Sequence, residues 1–206
     1  IIVIGCKNET NKLQTNQNQL MRKNVIDNAN VFNIDIDSSL IFWIGKKIYK
    51  SHNGTLNFHS GNVQIKDNII VGGNFQVDMN SIICNDIKKE NPNKGLVNHL
   101  KNEDFFDVKN HPYSFLKIIN SEKKSENEYL FLAELTIKDI VQPITFNGYI
   151  NLKNNKYHFK TNLSFDRTLW DIKYGSGKFF QELGDRAISD EIELEIIILT
   201  ESNSSK

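Results

Sequence analysis

The residues that could carry chemistry in this chain are five histidines, two cysteines, a lysine-bearing glycine turn and one arginine at a strand end. The stretch Gly175-Ser176-Gly177-Lys178 resembles a phosphate-binding loop. It lacks that loop's first glycine, because Ile172 stands five residues before Gly177, and Phe179 replaces the hydroxyl residue after the lysine. His52, His59, His99, His111 and His158 show no metal-ligand spacing such as HExxH. His52 and His59 are an odd number of residues apart, so a regular strand turns them to opposite faces. His99 reads as a helix residue hydrogen-bonded within its loop. Cys84 ends an apolar run and reads as a small buried side chain, not a nucleophile. With no nucleophile–base pair, metal set or cofactor motif, the chain is expected to hold no catalytic residues, no metal and no cofactor. Asp166-Arg167 is left. Arg167 is placed either to hold a polar ligand group or to make a structural ion pair with Asp78 or Asp190.

Those residues must be positioned by a domain of ordinary composition. The chain has 206 residues, 39% hydrophobic and 24% charged, with zero net charge. That suits one folded domain and lacks the basic footprint of nucleic-acid binding. No run approaches the ~20 apolar residues that span a bilayer as a helix. The opening Ile1-Ile2-Val3-Ile4-Gly5-Cys6 is apolar and ends in Gly-Cys, while residues 7–30 are rich in Asn, Gln, Lys and Thr. Such a polar stretch buries too little apolar surface to offset its ordering entropy and reads as a flexible tether. The first six residues resemble the end of a bacterial lipoprotein signal peptide, with a branched residue three before the cysteine and a small one before it. The resemblance implies cleavage after Gly5 and lipidation of Cys6, hence a protein anchored at the periplasm or cell envelope. Lys7 after the cysteine leaves inner or outer membrane open.

From residue 31 apolar side chains recur every second residue. Phe32, Ile34 and Ile36 alternate with Asn33 and Asp35, and Leu40, Phe42 and Ile44 share one face of the next run. Leu56, Phe58, Val63, Ile65, Phe75, Val77 and Met79 continue the pattern. Turn signals stand at Asn53-Gly54, Ser60-Gly61 and Asp67-Asn68. Later runs from "YSFLKII" to "DEIELEIIIL" bring the count to eight or more strands. Two interruptions, 93–106 and 177–185, read as short helices. Antiparallel strands with short turns form a sandwich or a closed barrel, and closure removes exposed edges. An all-β, eight-stranded antiparallel barrel is therefore expected over residues 31–199, followed by a disordered tail over 200–206. Its bore is either packed solid or occupied by a slender ligand.

The stretches "HNGTLNFHSGNV", "VDMNSI", "LVNHLKNEDFFDVKNHPYSF", "LAELTIKDIVQPITF" and "FDRTLWDIKYGSGKFFQELGDRAISDEIELEI" resemble the YceI-like polyisoprenoid-binding family in order and spacing. The resemblance implies a lipocalin-like barrel whose apolar tunnel holds an isoprenoid chain, in a secreted, periplasmic or lipid-anchored protein. This chain departs from the family pattern at Ala133 or Glu134, at Asp139 and at Asp171, where glycine is common; these departures bear on loop shape.

On that reading the lipid-binding wall comprises Phe42, Leu56, Phe58, Phe75, Val77, Phe105, Phe106, Phe115, Phe131, Leu135, Phe146, Phe159, Leu163 and Phe165. Phe105-Phe106 and Phe179-Phe180 are placed to cap the mouth or to pack beneath it. Arg167 is the head-group candidate, for a quinone carbonyl or a phosphate, against its structural alternative. The function implied is non-catalytic binding or carriage of an isoprenoid quinone or polyprenyl lipid. The alternatives are an enzyme acting on such a ligand and a ligand-free structural or stress-response domain. The partners expected are that lipid and the membrane through Cys6, with no nucleic acid; a homodimer is left open.

Overall fold

A computed structural model describes residues 28–202, so the lipidation site at Cys6 and nearly all of the tether lie outside the described residues. Among these residues are nine strands and one α-helix: β1 (Asn30–Asn33), β2 (Leu40–Lys47), β3 (Ser51–Lys66), β4 (Ile69–Cys84), α1 (Glu90–Lys101), β5 (Tyr113–Lys123), β6 (Glu128–Ile137), β7 (Ile140–Lys153), β8 (Lys156–Asp166) and β9 (Ile188–Leu199). Neighbouring strands pair in the order β3-β2-β9-β8-β7-β6-β5-β4, and β4 pairs back onto β3. Eight antiparallel strands thus close a barrel. The short β1 lies on the far half of β3, Asn30 opposite Ile65, while β2 pairs with the near half, Ile41 opposite Leu56. Together they cover one edge of a strand too long for either.

Local chemistry fixes the turns. Asp67-Asn68, Lys138-Asp139 and Asn154-Asn155 each form the two-residue tip of a hairpin, and all six have positive φ. That is the geometry whose twist matches paired strands and which Asn and Asp tolerate. Asp139 and Asp171, two of the departures from glycine, both sit in this left-handed region (φ 60° and 58°), so the loop shape survives the exchange. The barrel runs one residue past its expected bounds at each end. Asn30 opens β1, and Thr200, expected in the tail, is buried and bridged to Ile34.

The interruption at 93–106 folds as α1 plus a tight turn. Pro92 is tolerated in the first turn, where amide hydrogens have no helical partner. The second interruption is corrected. Residues 177–185 form turns rather than a helix, with Glu182 in the left-handed region (φ 58°) and a single 3₁₀ turn at Gly184–Arg186. A left-handed residue cannot propagate helical hydrogen bonds.

The wall of the barrel is uneven. β7 and β8 pair only from Gly148 opposite Thr161 to Lys153 opposite Lys156. Beyond that point β7 pairs with β6 alone and β8 with β9 alone. The 3₁₀ turn Arg167–Trp170 and the residues to Ile172 fill the split. Arg167, Trp170 and Ile172 are each 0% exposed.

Candidate apolar binding site

Inward-facing side chains leave two cavities along the bore. The larger, of about 160 Å³, lies toward the end where β2, β4, β6 and β8 finish. Its floor and walls come from Ile41 and Trp43 of β2, Leu56 of β3, Val77, Met79 and Ile82 of β4, and Leu135 and Ile137 of β6. Phe165, Ile188, Ile192 and Leu194 complete the strand side. Leu96 and Leu100, four apart on α1, and Phe105-Phe106 close over it from the helix side. Its rim carries Lys46, Lys47, Lys50 and His52, and Ser114 is the other polar side-chain bearer along the wall. The smaller cavity, about 50 Å³, lies deeper and is lined by Phe75, Leu116, Phe131, Phe146, Phe159 and the isoleucines 70, 118, 150, 196 and 198, among others.

The two chambers share no lining residue. Between them stand Phe58, buried and 6.2 Å from the Phe75 ring, with Ala133 and Leu163 on the facing strands. The deeper end is closed by aromatic packing. Tyr129 stacks on Phe131, which meets Phe146 at a tilt, Phe32 meets Tyr157 edge-on at 4.9 Å, and Tyr129 donates its hydroxyl to the Asn68 carbonyl. Two glycines permit these placements by close approach. A side chain at Gly148 would meet the Phe131 ring at 2.9 Å, and one at Gly54 would meet the Ile83 carbonyl at 1.8 Å and the Trp43 ring at 2.6 Å.

Of the residues assigned from sequence to the wall, Leu56, Val77, Phe105, Phe106, Leu135 and Phe165 line the larger cavity. Phe75, Phe131, Phe146 and Phe159 line the smaller, and Phe58 and Leu163 form the layer between. Phe42 and Phe115 are corrected: they are 36% and 41% exposed and project outward. In "LIFWIG" both phases are apolar, so alternation pairs Phe42 with Ile44 without saying which side is inside. Ile41 and Trp43 are. In "YSFLKII" the inward phase begins with Ser114, and Phe115 shares the outer face with Lys117. Phe179 and Phe180 are half exposed and line neither chamber. The residues missed from sequence include Ile41, Trp43, Leu96, Leu100, Ile188 and Ile192. The signals available were the second apolar phase of β2, the i, i+4 leucines of α1 and the alternation of β9.

Arg167 is corrected as a head-group residue. Its guanidinium donates from Nε to the Ser189 carbonyl (2.9 Å), from Nη1 to the Ile172 carbonyl (2.7 Å) and from Nη2 to the Ile188 carbonyl (3.2 Å). Nη2 also meets Asp190 at 3.4 Å, and the group stands 5.8 Å from the Phe105 ring centre. It lines neither chamber. Burial lowers its pKa, opposed by Asp190 and Asp166. The wider plug is bound on both sides of the split. Trp170 donates to the Leu135 carbonyl (3.1 Å), and Gln142 donates to that of Leu169 (3.1 Å). Asp166 caps the turn by accepting from Thr168 N–H (2.9 Å) and from Lys178 (2.6 Å). Partial desolvation of Asp166 is outweighed by these bonds, and its pKa is lowered.

At the mouth, Asp86 accepts from Asn53 N–H (2.9 Å) and the Cys84 thiol (3.3 Å), and its second oxygen lies 2.8 Å from His52 Nδ1. Burial and the carboxylate raise the thiol's pKa. The cysteine points its proton at a carboxylate and not at the imidazole, the reverse of what a thiolate nucleophile needs. His99 packs edge-on against Phe105 and Tyr174 and lies 3.2 Å from Asp104.

An eight-stranded antiparallel barrel enclosing apolar space beneath a helix-covered mouth defines a class of small binding barrels. The YceI-like domain family matches residues 32–199, and the chain belongs to that family. Its fold is shared by several solved structures. BcnA of Burkholderia cenocepacia superposes with a TM-score of 0.66 at 17% identity, covering 81% of this chain and 98% of that one. A polyisoprenoid-binding domain from Saccharophagus degradans, implicated in plant cell wall breakdown, gives 0.59 at 11% identity over 83% and 98%. The YceI protein of Campylobacter jejuni gives 0.54 at 19% identity over 72% and 85%. The comparison with curated proteins finds no match.

Proposed function

We propose that this barrel binds and carries an isoprenoid-type lipid without transforming it, at a bacterial cell envelope to which Cys6 anchors the chain. The observation that carries this reading is the apolar chamber of about 160 Å³ that opens between α1 and the strand ends, with a second apolar chamber beneath it. A packed globular core leaves few voids larger than a water molecule, so two aligned apolar voids are a feature the fold maintains. Each CH₂ taken from water contributes ~0.8 kcal/mol, which an apolar wall collects without directional contacts. The polyisoprenoid binding named for the Saccharophagus domain gives the ligand class its motivation. At the mouth the Cys84 thiol points at the Asp86 carboxylate, and burial and that carboxylate raise its pKa, which favours the unreactive thiol.

The test is native mass spectrometry and lipid extraction of the protein purified from its own host. The expected result is a stoichiometric isoprenoid lipid, retained by Phe42→Glu on the outer face and lost from Val77→Glu in the wall. A lipid-free protein from native membranes, or equal retention by both variants, overturns the reading.

A further inference from the structure

Three of the four tight hairpins end in polar residues at left-handed φ, as their geometry asks. The fourth, between β2 and β3, does not. Lys47 N–H donates to the Lys50 carbonyl (2.6 Å), leaving Ile48 and Tyr49 at the tip, 58% and 79% exposed and without positive φ. Neither turn conformation nor the core calls for an isoleucine and a tyrosine there, and exposure to water disfavours both. The flanks are Lys46, Lys47 and Lys50, and all three line the mouth of the larger cavity. Lys46 is paired with Glu193, whereas Lys47 and Lys50 form no ion pair among the described residues. Ile83, also exposed, lies on neighbouring β4, and the exposed Lys88 and Lys89 follow it before α1.

We propose that this tip is a docking element for an anionic bilayer. Ile48 and Tyr49 enter the interfacial layer, Lys47 and Lys50 meet lipid phosphates, and the cavity mouth is thereby held against the membrane. An aliphatic and an aromatic tip flanked by lysines matches the two components of a bilayer surface, apolar depth and negative charge. Its placement on the mouth's own rim shortens the path of an apolar ligand through water. Docking does not depend on the carrier reading; its use in ligand transfer rests on that reading.

The test uses the full chain with Cys6 left unacylated, sedimented with vesicles of phosphatidylcholine containing one-quarter phosphatidylglycerol and with pure phosphatidylcholine vesicles. Binding is expected for the anionic vesicles only. Lys47→Gln/Lys50→Gln should weaken it about twenty-fivefold, roughly fivefold per lysine. Ile48→Ser/Tyr49→Ser should weaken it at least tenfold, and both variants should keep the circular dichroism of the parent. No binding to anionic vesicles, equal binding to both vesicle types, or unchanged binding of either variant overturns the proposal. Lipid extraction from protein purified from its own host, before any vesicle is added, separates the two readings: a chain that docks yet carries no lipid sinks the carrier, not the dock.

Discussion

The two ends of the barrel solve different problems with the same strand chemistry. At the deep end β7 and β8 are paired from Gly148 opposite Thr161 to Lys153 opposite Lys156, while β4 and β5 part beyond Gly73 opposite Ile118, and packed aromatics leave only the smaller void. At the mouth end β7 and β8 separate, and a 3₁₀ turn, a buried arginine and a tryptophan stand in for the missing ladder. There the larger void opens. Apolarity is common to both ends, so it does not decide where space remains. Space remains where the wall is held apart by groups whose bonds run to carbonyls instead of to side chains across the bore.

If that is so, the largest effect should come from Arg167. Its Nε, Nη1 and Nη2 hold the carbonyls of Ser189, Ile172 and Ile188. Arg167→Ala removes those donors from buried carbonyls and leaves Asp190 paired with Lys178 alone. The expected loss is about 3–5 kcal/mol, read as a fall of roughly 10 °C in the melting temperature. Arg167→Lys should recover only part, because a single ammonium cannot span three divergent carbonyls. A melting temperature unchanged in the alanine variant would show that the split is held by strand packing alone.

A somewhat smaller effect is expected between the chambers. Phe58→Ala removes the ring that separates them and should cost about 3 kcal/mol through the space left behind. It should also join the two voids, so that native mass spectra of the variant show longer apolar chains retained than the parent accepts. The same chain-length limit in both proteins would mean that Phe58 already turns aside and the layer is no barrier.

Strand pattern made the barrel legible, because period two is a local property; of the turn signals only Asp67-Asn68 marks a hairpin tip, while Asn53-Gly54 and Ser60-Gly61 lie inside β3. The family resemblance supplied the remainder of the topology. Inside and outside were less legible. Where one phase is polar, as around Phe146 and Phe159, alternation places the side chain; where both are apolar, as in Leu40–Ile44, it does not. Phe115 failed for the opposite reason, since Ser114 is a polar residue on the inner face. The split between β7 and β8 left no trace in either strand, as pairing beyond the hairpin depends on residues far away in sequence. Arg167 was visible as a charged residue at a strand end, but only its buried setting separates a bond to backbone from a bond to ligand.

The smallest effect concerns the mouth and appears only in acid. The Asp86 carboxyl is partly desolvated, which favours its neutral form. The donors from Asn53, His52 and Cys84 outweigh that and hold its pKa at about 2, below the ordinary 3.8. A depressed carboxylate stabilises the fold fully above its unfolded pKa and ceases to do so as pH falls through the folded value. Asp86 therefore contributes above about pH 4, and its contribution drains away between about pH 4 and about pH 2. The site is partly open to solvent, so the size is on the order of 1 kcal/mol after screening. Asp35, Asp166 and Asp171 are shifted in the same direction, so the parent alone cannot isolate the effect. Asp86→Asn can. Urea unfolding at pH 6 should show the variant weaker by that amount, with the gap closing as pH approaches 2. A gap that stays constant across that range would mean that the carboxylate's geometry, not its charge, ties β3 to the end of β4, and that the mouth is held, like the far end, by neutral contacts.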